Sequence, residues 1–309
     1  MTQQRHAILG TIKHYQWWQL EPFLTTLAAT TYQGAIIFFY DHTDAATLRF
    51  LRERGVHCVP FSETDAAYAN YNFMCLRFFL YHLFLEKHPN VYDQIFLTDV
   101  RDVIFQGDPF SFTVRGVECF TECEDIPLSR PSANRRWVEE SFGSEAIAHF
   151  GDKPVVCAGT ILGTEPALRE YLRVFNDTLL AQPQPRVVND QGLHNYIIYT
   201  NRVPNVTIHG NTGPVLTLGL EDVVLSIDGT FRNAAGDTPL VVHQYDRHYA
   251  LAKRYWGWRL RLLHHWDTWL DPRAAARGLR YRAAVYVRHA FPTLYAGIRR
   301  VFRGRPAAN

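Results

Sequence analysis

The chain has 309 residues, of which 47% are hydrophobic and 20% charged, with a formal net charge of +2. That is an ordinary composition for a globular protein of one large domain or two small ones. No apolar run approaches the roughly 18 residues a membrane span needs, so no transmembrane helix is expected.

The small net charge conceals an asymmetry. Pro272 to Asn309 holds nine arginines and neither lysine nor acid, which leaves residues 1–271 with 23 basic and 30 acidic side chains, a net of −7. An arginine-only segment attached to an acidic body seeks an anionic partner. The five cysteines, Cys58, Cys75, Cys119, Cys123 and Cys157, are odd in number and form no C-x-x-C pair, which fits structural thiols in a reducing compartment. The first ten residues do not read as a signal peptide, so a cytoplasmic location is expected. Aromatics at 14% fit either sugar-binding and interfacial surfaces or an aromatic-rich core.

In chain order, Ala7 to Gly10 reads as a buried strand and Trp17 to Thr31 as a helix, with Trp18, Phe23, Leu24 and Leu27 at helical spacing. Ala35 to Tyr40 (AIIFFY) is a second buried strand that ends at Asp41. Ala45 to Arg54 predicts a helix closed by Gly55, followed by a strand from Val56 to Phe61. This rhythm predicts an α/β fold with a Rossmann-type mixed sheet flanked by helices.

Phe73 to Glu86 is an apolar helix interrupted by one charge, Arg77, and Gln94 to Leu97 is a strand that runs into Thr98-Asp99-Val100-Arg101-Asp102. Residues 121–154 read as loops around short helices, a possible acceptor-side lid. Val155 to Gly163 predicts a strand, Glu165 to Leu180 a helix, and Asn189 to Tyr199 a loop continuing as a helix. Val223 to Ile227 and Leu240 to Val242 predict late strands.

Ligands gather at the carboxyl ends of strands in open α/β sheets, which draws attention to Asp99 and Asp102. Carboxylates are hard oxygen ligands for Mn²⁺ or Mg²⁺, and a metal so held bridges a diphosphate. An Asp after a strand also caps the next element, and the D-x-x-D spacing alone does not separate the two readings. Asp190 and His243 fall in the polar clusters Asn189-Asp-Gln-Gly192 and His243-Gln-Tyr-Asp-Arg-His248, and neutral imidazole is a competent Mn²⁺ ligand.

Taken together, Arg77, Phe96 to Phe105, Cys157-Ala-Gly-Thr-Ile-Leu-Gly163, Asn189-Asp-Gln191 and Val241-Val-His243 form an ordered series. The series resembles the retaining GT-A glycosyltransferases of the glycogenin and bacterial galactosyltransferase kind, a family 8-like group, over residues 7–250. It departs from them in the D-x-x-D spacing and in Cys157-Ala158-Gly159, where the relatives often carry Asn. The resemblance implies a GT-A domain over residues 1–270 and transfer of a sugar from a nucleoside-diphosphate donor to a glycan or glycolipid, with retention favoured.

The resemblance also implies roles. Asp102 and His243 would hold the metal, with Asp99 either a further ligand or a partner of the donor. Asp190 and Gln191 would stand beside the anomeric carbon. Gly159 would face the donor sugar, and Arg77 would touch the donor or pair with Asp99 or Asp102. Arg247 and His248 would stabilise the leaving diphosphate, with Lys253 more simply a solvated charge. Asp41 would contact the nucleotide base or ribose, or cap a helix.

Residues 271–309 form the expected basic tail. Phe291, Leu294, Tyr295, Ile298 and Phe302 recur at helical steps beside Arg299, Arg300 and Arg303, the pattern of a helix lying on an anionic membrane surface. The competing reading packs that stripe against the body of the protein. No nucleic-acid motif is present. A peripheral tail at the inner face of the membrane would suit a lipid-linked acceptor in cell-surface polysaccharide or glycolipid synthesis. The rival functions are a nucleotidyltransferase, for which Gly10-Thr-Ile-Lys13 is a poor nucleotide loop, and a non-catalytic membrane-associated scaffold.

Overall fold

A computed structural model of the protein describes residues 5–219 and 223–259. The chain divides into two compact units, Met1–Tyr245 and Asp246–Asn309. The domain boundary expected at 270/271 and the basic helical tail lie outside the described residues.

The first unit opens with β1 (His6–Lys13), α1 (Trp17–Ala28), β2 (Ala35–Asp41), α2 (Ala45–Arg52), β3 (His57–Pro60), α3 (Phe73–Lys87), β4 (Gln94–Thr98) and β5 (Val103–Phe105). It continues through β6 (Val117–Pro127), α4 (Ala133–Phe142), α5 (Ser144–Phe150), β7 (Pro154–Thr164), α6 (Glu165–Leu180) and α7 (Asp190–Tyr199). The short strands β8 (Val206–His209), β9 (Val215–Thr217), β10 (Val224–Leu225), β11 (Phe231–Arg232) and β12 (Val241–His243) complete it. The second unit contributes α8 (Tyr249–Trp256).

Seven strands form the main sheet in the order β3-β2-β1-β4-β7-β6-β8. The β3-β2-β1-β4 half is parallel throughout, β7 runs antiparallel to both β4 and β6, and β8 returns parallel to β6. This is the mixed, helix-flanked α/β sheet the sequence predicts. A parallel strand is covered on both faces, and so both of its residue sets are apolar. In β1, Ala7 and Leu9 enter one core with α3, α6 and α7, while Ile8 and Ile12 enter the other with Phe23 and Leu24 of α1.

Residues 121–154 contain the expected short helices but open as strand rather than loop. Their first seven positions extend β6, and α4 and α5 follow, packing a small core of Val138, Ile147, Phe150 and Val155. Among the described residues no helix is long and apolar enough to cross a membrane. All five cysteines are free, and all but Cys58 are buried.

Candidate metal centre

Three chain segments meet at the carboxyl end of β4. The first is the Asp99-Val100-Arg101-Asp102 turn between β4 and β5. Val100 is its anchor: it is buried, and a Cβ added to Gly10 of β1 would fall 2.3 Å from its Cγ2. With Val100 seated in the notch that Gly10 leaves open, Asp99 and Asp102 stand on either side of a fixed point.

The second segment is β7, whose antiparallel register with β4 pairs Thr98 with Thr160 and places Gly159 beside Asp99. The Asp99 N–H donates to the Gly159 carbonyl at 2.7 Å. A Cβ on Gly159 would lie 2.6 Å from Asp99 Oδ2 and 2.6 Å from His243 Cε1. Only a residue without a side chain lets the carboxylate and the imidazole approach this closely.

The third segment is β12. It pairs antiparallel with β5, His243 opposite Val103, and the Gln244 N–H donates to the Asp102 carbonyl at 2.8 Å. A three-stranded sheet, β5-β12-β9, therefore carries His243 back to the acidic turn.

Asp99, Asp102 and His243 each offer one ligand atom, and these atoms lie within 4.8 Å of one another. His243 Nε2 stands 3.5 Å from Asp99 Oδ2 and 3.8 Å from Asp102 Oδ2. Donor atoms that share one ion at about 2.1 Å lie no more than about 4.2 Å apart, so both separations suit a common cation. The imidazole is fully buried and its Nε2 has no hydrogen-bond partner. A buried imidazole nitrogen facing two carboxylates is balanced either by its own proton or by a cation held between them. The group could hold a metal ion.

Charge explains the protonation of the site. Burial favours the neutral imidazole, but Cys157, Asp102 and Asp99 together outweigh it and raise the His243 pKa well above its ordinary value. Burial would likewise raise the Asp99 carboxyl, yet the Arg77 guanidinium and His243 hold it well below the usual carboxylate range.

Arg77, the one buried charge of α3, is paired rather than orphaned. Its Nη1 binds Asp99 Oδ1, while its Nη2 donates to Asp190 Oδ2 at 2.6 Å and to the Ala158 carbonyl at 3.2 Å. Of the two acidic partners open for Arg77, Asp99 rather than Asp102 is the one it pairs with, and Asp190 is an additional partner. Two helix caps set this geometry. Asn72 caps α3 through the Cys75 N–H at 3.0 Å, and its side-chain NH₂ also donates to the Val188 carbonyl at 2.7 Å. Asn189 then caps α7 through the Gln191 N–H at 2.9 Å. The start of the helix carrying Arg77 is thus tied to the segment that delivers Asp190.

Gln191 faces the other way. Its Oε1 accepts from the Ala158 N–H at 3.4 Å and its Nε2 donates to Asn134 Oδ1 at 2.7 Å. Asn134 Nδ2 reaches Glu122 Oε2 at 3.2 Å, and Gln244 Nε2 reaches Glu122 Oε1 at 3.3 Å. Glu122 and Asn134 were not singled out in the sequence. The signal that could have found Glu122 is its place in a strand, opposite β7, that was read as loop.

Asp41 ends β2, opposite Lys13 of β1, at the same edge of the sheet. It is buried and accepts from the His42 N–H at 2.9 Å and the Glu63 N–H at 3.2 Å. The helix-cap reading of Asp41 is corrected: Asp44 caps α2, accepting from the Thr47 N–H at 2.7 Å. Arg247 and His248 belong to the second unit. Arg247 is exposed, with Nε 4.0 Å from Asp246 Oδ1, His248 is buried at the start of α8, and Lys253 is exposed.

Compared with known proteins, no family model and no curated protein matches this chain.

Proposed function

We propose that the protein is a metal-dependent glycosyltransferase with a GT-A-type active centre, moving a sugar from a nucleoside diphosphate to a glycan or lipid-linked acceptor. The observation that carries this reading is the convergence of Asp99, Asp102 and His243 on one point at a strand end, around a glycine that leaves them room. Each element of that convergence falls in the order expected from the family 8-like resemblance.

Asp102 and His243 would be the principal ligands of Mn²⁺ or Mg²⁺, with Asp99 turning Oδ2 towards them and Oδ1 towards Arg77. The bound ion would neutralise charge on the departing nucleoside diphosphate. Asp190, engaged by Arg77, suits an anion that balances positive charge developing at the anomeric carbon, and the family 8-like resemblance favours retention. Gln191, fixed between Ala158 and Asn134, would orient the acceptor. Asp41 sits at the sheet edge where the nucleotide would lie. Residues 271–309 remain candidates for attachment to an anionic inner membrane face.

The test is a screen of nucleotide sugars with Mn²⁺, reading release of nucleoside diphosphate. Donor hydrolysis that Asp102→Asn abolishes, without lowering the melting temperature of the metal-free protein, is the expected result. Release of pyrophosphate instead would indicate nucleotidyl transfer. Absence of any turnover, together with no thermal shift from any nucleoside diphosphate and metal, would overturn the proposal.

A further inference from the structure

We infer that Cys157 is a positioning residue for the metal ligand His243: its sulfur accepts the Nδ1–H of the imidazole and so presents an unprotonated Nε2 to the carboxylates. The inference rests on the metal reading of the Asp99–Asp102–His243 group and adds to it the residue that decides which ring nitrogen is free to ligate.

A neutral imidazole carries one hydrogen, and the partner of one nitrogen fixes the state of the other. Cys157 and Gly159 lie two positions apart on β7 and share a face, so the sulfur and the glycine notch both border the ring. Cys157 Sγ is 3.6 Å from His243 Nδ1, within reach of a hydrogen bond to sulfur. The same sulfur accepts the Gly159 backbone N–H at 3.4 Å. A backbone amide can only donate, so the sulfur already acts as an acceptor at this spot.

The converse tautomer would have the thiol donate to Nδ1 and leave Nε2 carrying the hydrogen. That hydrogen would face two carboxylates and bond to one of them. Nε2 stands 3.5 and 3.8 Å from the nearest oxygens, separations that a shared cation also allows, and an Nε2 that ligates such an ion leaves the ring hydrogen on Nδ1. That Nδ1 hydrogen meets the Cys157 sulfur, which then acts as its acceptor. Metal-bound histidines ordinarily donate their second N–H to a carboxylate, carbonyl or water, and here a buried sulfur takes that place.

The experiment titrates Mn²⁺ calorimetrically into the full chain and its Cys157→Ala, Cys157→Ser and Cys58→Ala variants. Loss of the acceptor in Cys157→Ala should weaken Mn²⁺ binding by about 10- to 100-fold, the usual effect of removing such a partner. Cys157→Ser, which retains an acceptor, should recover most of that loss, and Cys58→Ala should bind as the parent does. A second reading needs no variant: long-range ¹H–¹⁵N spectra of the Mg²⁺-loaded parent should show the His243 hydrogen on Nδ1. Should Cys157→Ala fail to fold, those spectra decide. Parental affinity in Cys157→Ala, or a hydrogen found on Nε2, overturns the inference while leaving the metal centre standing. A parent that binds neither Mn²⁺ nor Mg²⁺ overturns both.

Discussion

Two histidines in this protein, His194 and His243, are both completely buried, and they are chemically opposite. His194 lies in α7 against Tyr171, whose hydroxyl meets its Nδ1 at 2.8 Å, and burial followed by the nearby Arg77 charge pushes its pKa down to about 3. His243 suffers the same desolvation, but two carboxylates and a sulfur reverse its effect. Burial alone therefore does not mark a functional histidine. The charges arranged around it do.

The largest effect should come from His243→Ala, which removes a direct ligand. Calorimetry should find Mn²⁺ affinity reduced beyond the 10- to 100-fold typical of outer partners, and donor hydrolysis lost with it. Equal Mn²⁺ binding by this variant would dissolve the distinction between the two histidines.

The next effect belongs to His194 and is read as stability against pH. Its folded pKa lies below the ordinary value of 6.5, so between pH 6.5 and 3 the unfolded chain binds the extra proton. The stability that a neutral His194 allows is thus complete above pH 6.5 and declines as pH falls, by about 1.4 kcal/mol per unit. The loss should approach about 4 kcal/mol at pH 3.5. Urea denaturation of His194→Gln should show a shallower slope over this range, and an unchanged slope would remove the titration from His194.

Arg77 is the charge common to both regions. Arg77→Met leaves Asp190 as a buried carboxylate without its ion-pair partner and should cost about 3–5 kcal/mol in urea denaturation. It should also lift the His194 pKa, flattening the same pH profile from the other side. The smallest effect is expected for Asn72→Ala, at about 1 kcal/mol for a lost helix cap. Because Asn72 also holds the Val188 carbonyl, this variant should slow donor hydrolysis more than its stability loss predicts, and equal effects would reduce Asn72 to a cap alone.

Much of the fold was legible where apolar runs are continuous. β1, β2, β4, β7 and α3 bury residues all round or on both faces, and such runs announce themselves, while α6 shows its buried face at helical spacing. β6 did not, because Glu122, Glu124 and Asp125 interrupt its second half, and a strand bordering a polar site carries polar residues for that reason. β5, β8 and β9 span three or four residues each and leave no period to read.

In the site, the acidic pair, Gly159, Asp190 and His243 could be named because each stands beside an apolar strand or helix start. The pairing of β12 with β5 could not be read, since nothing local in Val241-Val242-His243 states which strand it will meet. The acceptor role of Cys157 was hidden for the same reason: it exists only once His243 has arrived.

The seat that Gly10 provides for Val100 bears on how this centre could be re-engineered. The D-x-x-D interval is a mechanical mounting, with two working ends spaced about a bolt. Excising one residue to give the shorter D-x-D interval would remove either the bolt or the offset that keeps the ends apart. A graft of this turn into another strand end would need a glycine in the neighbouring strand to receive it, and a graft that ignored the host's first strand would arrive with its carboxylates unaimed.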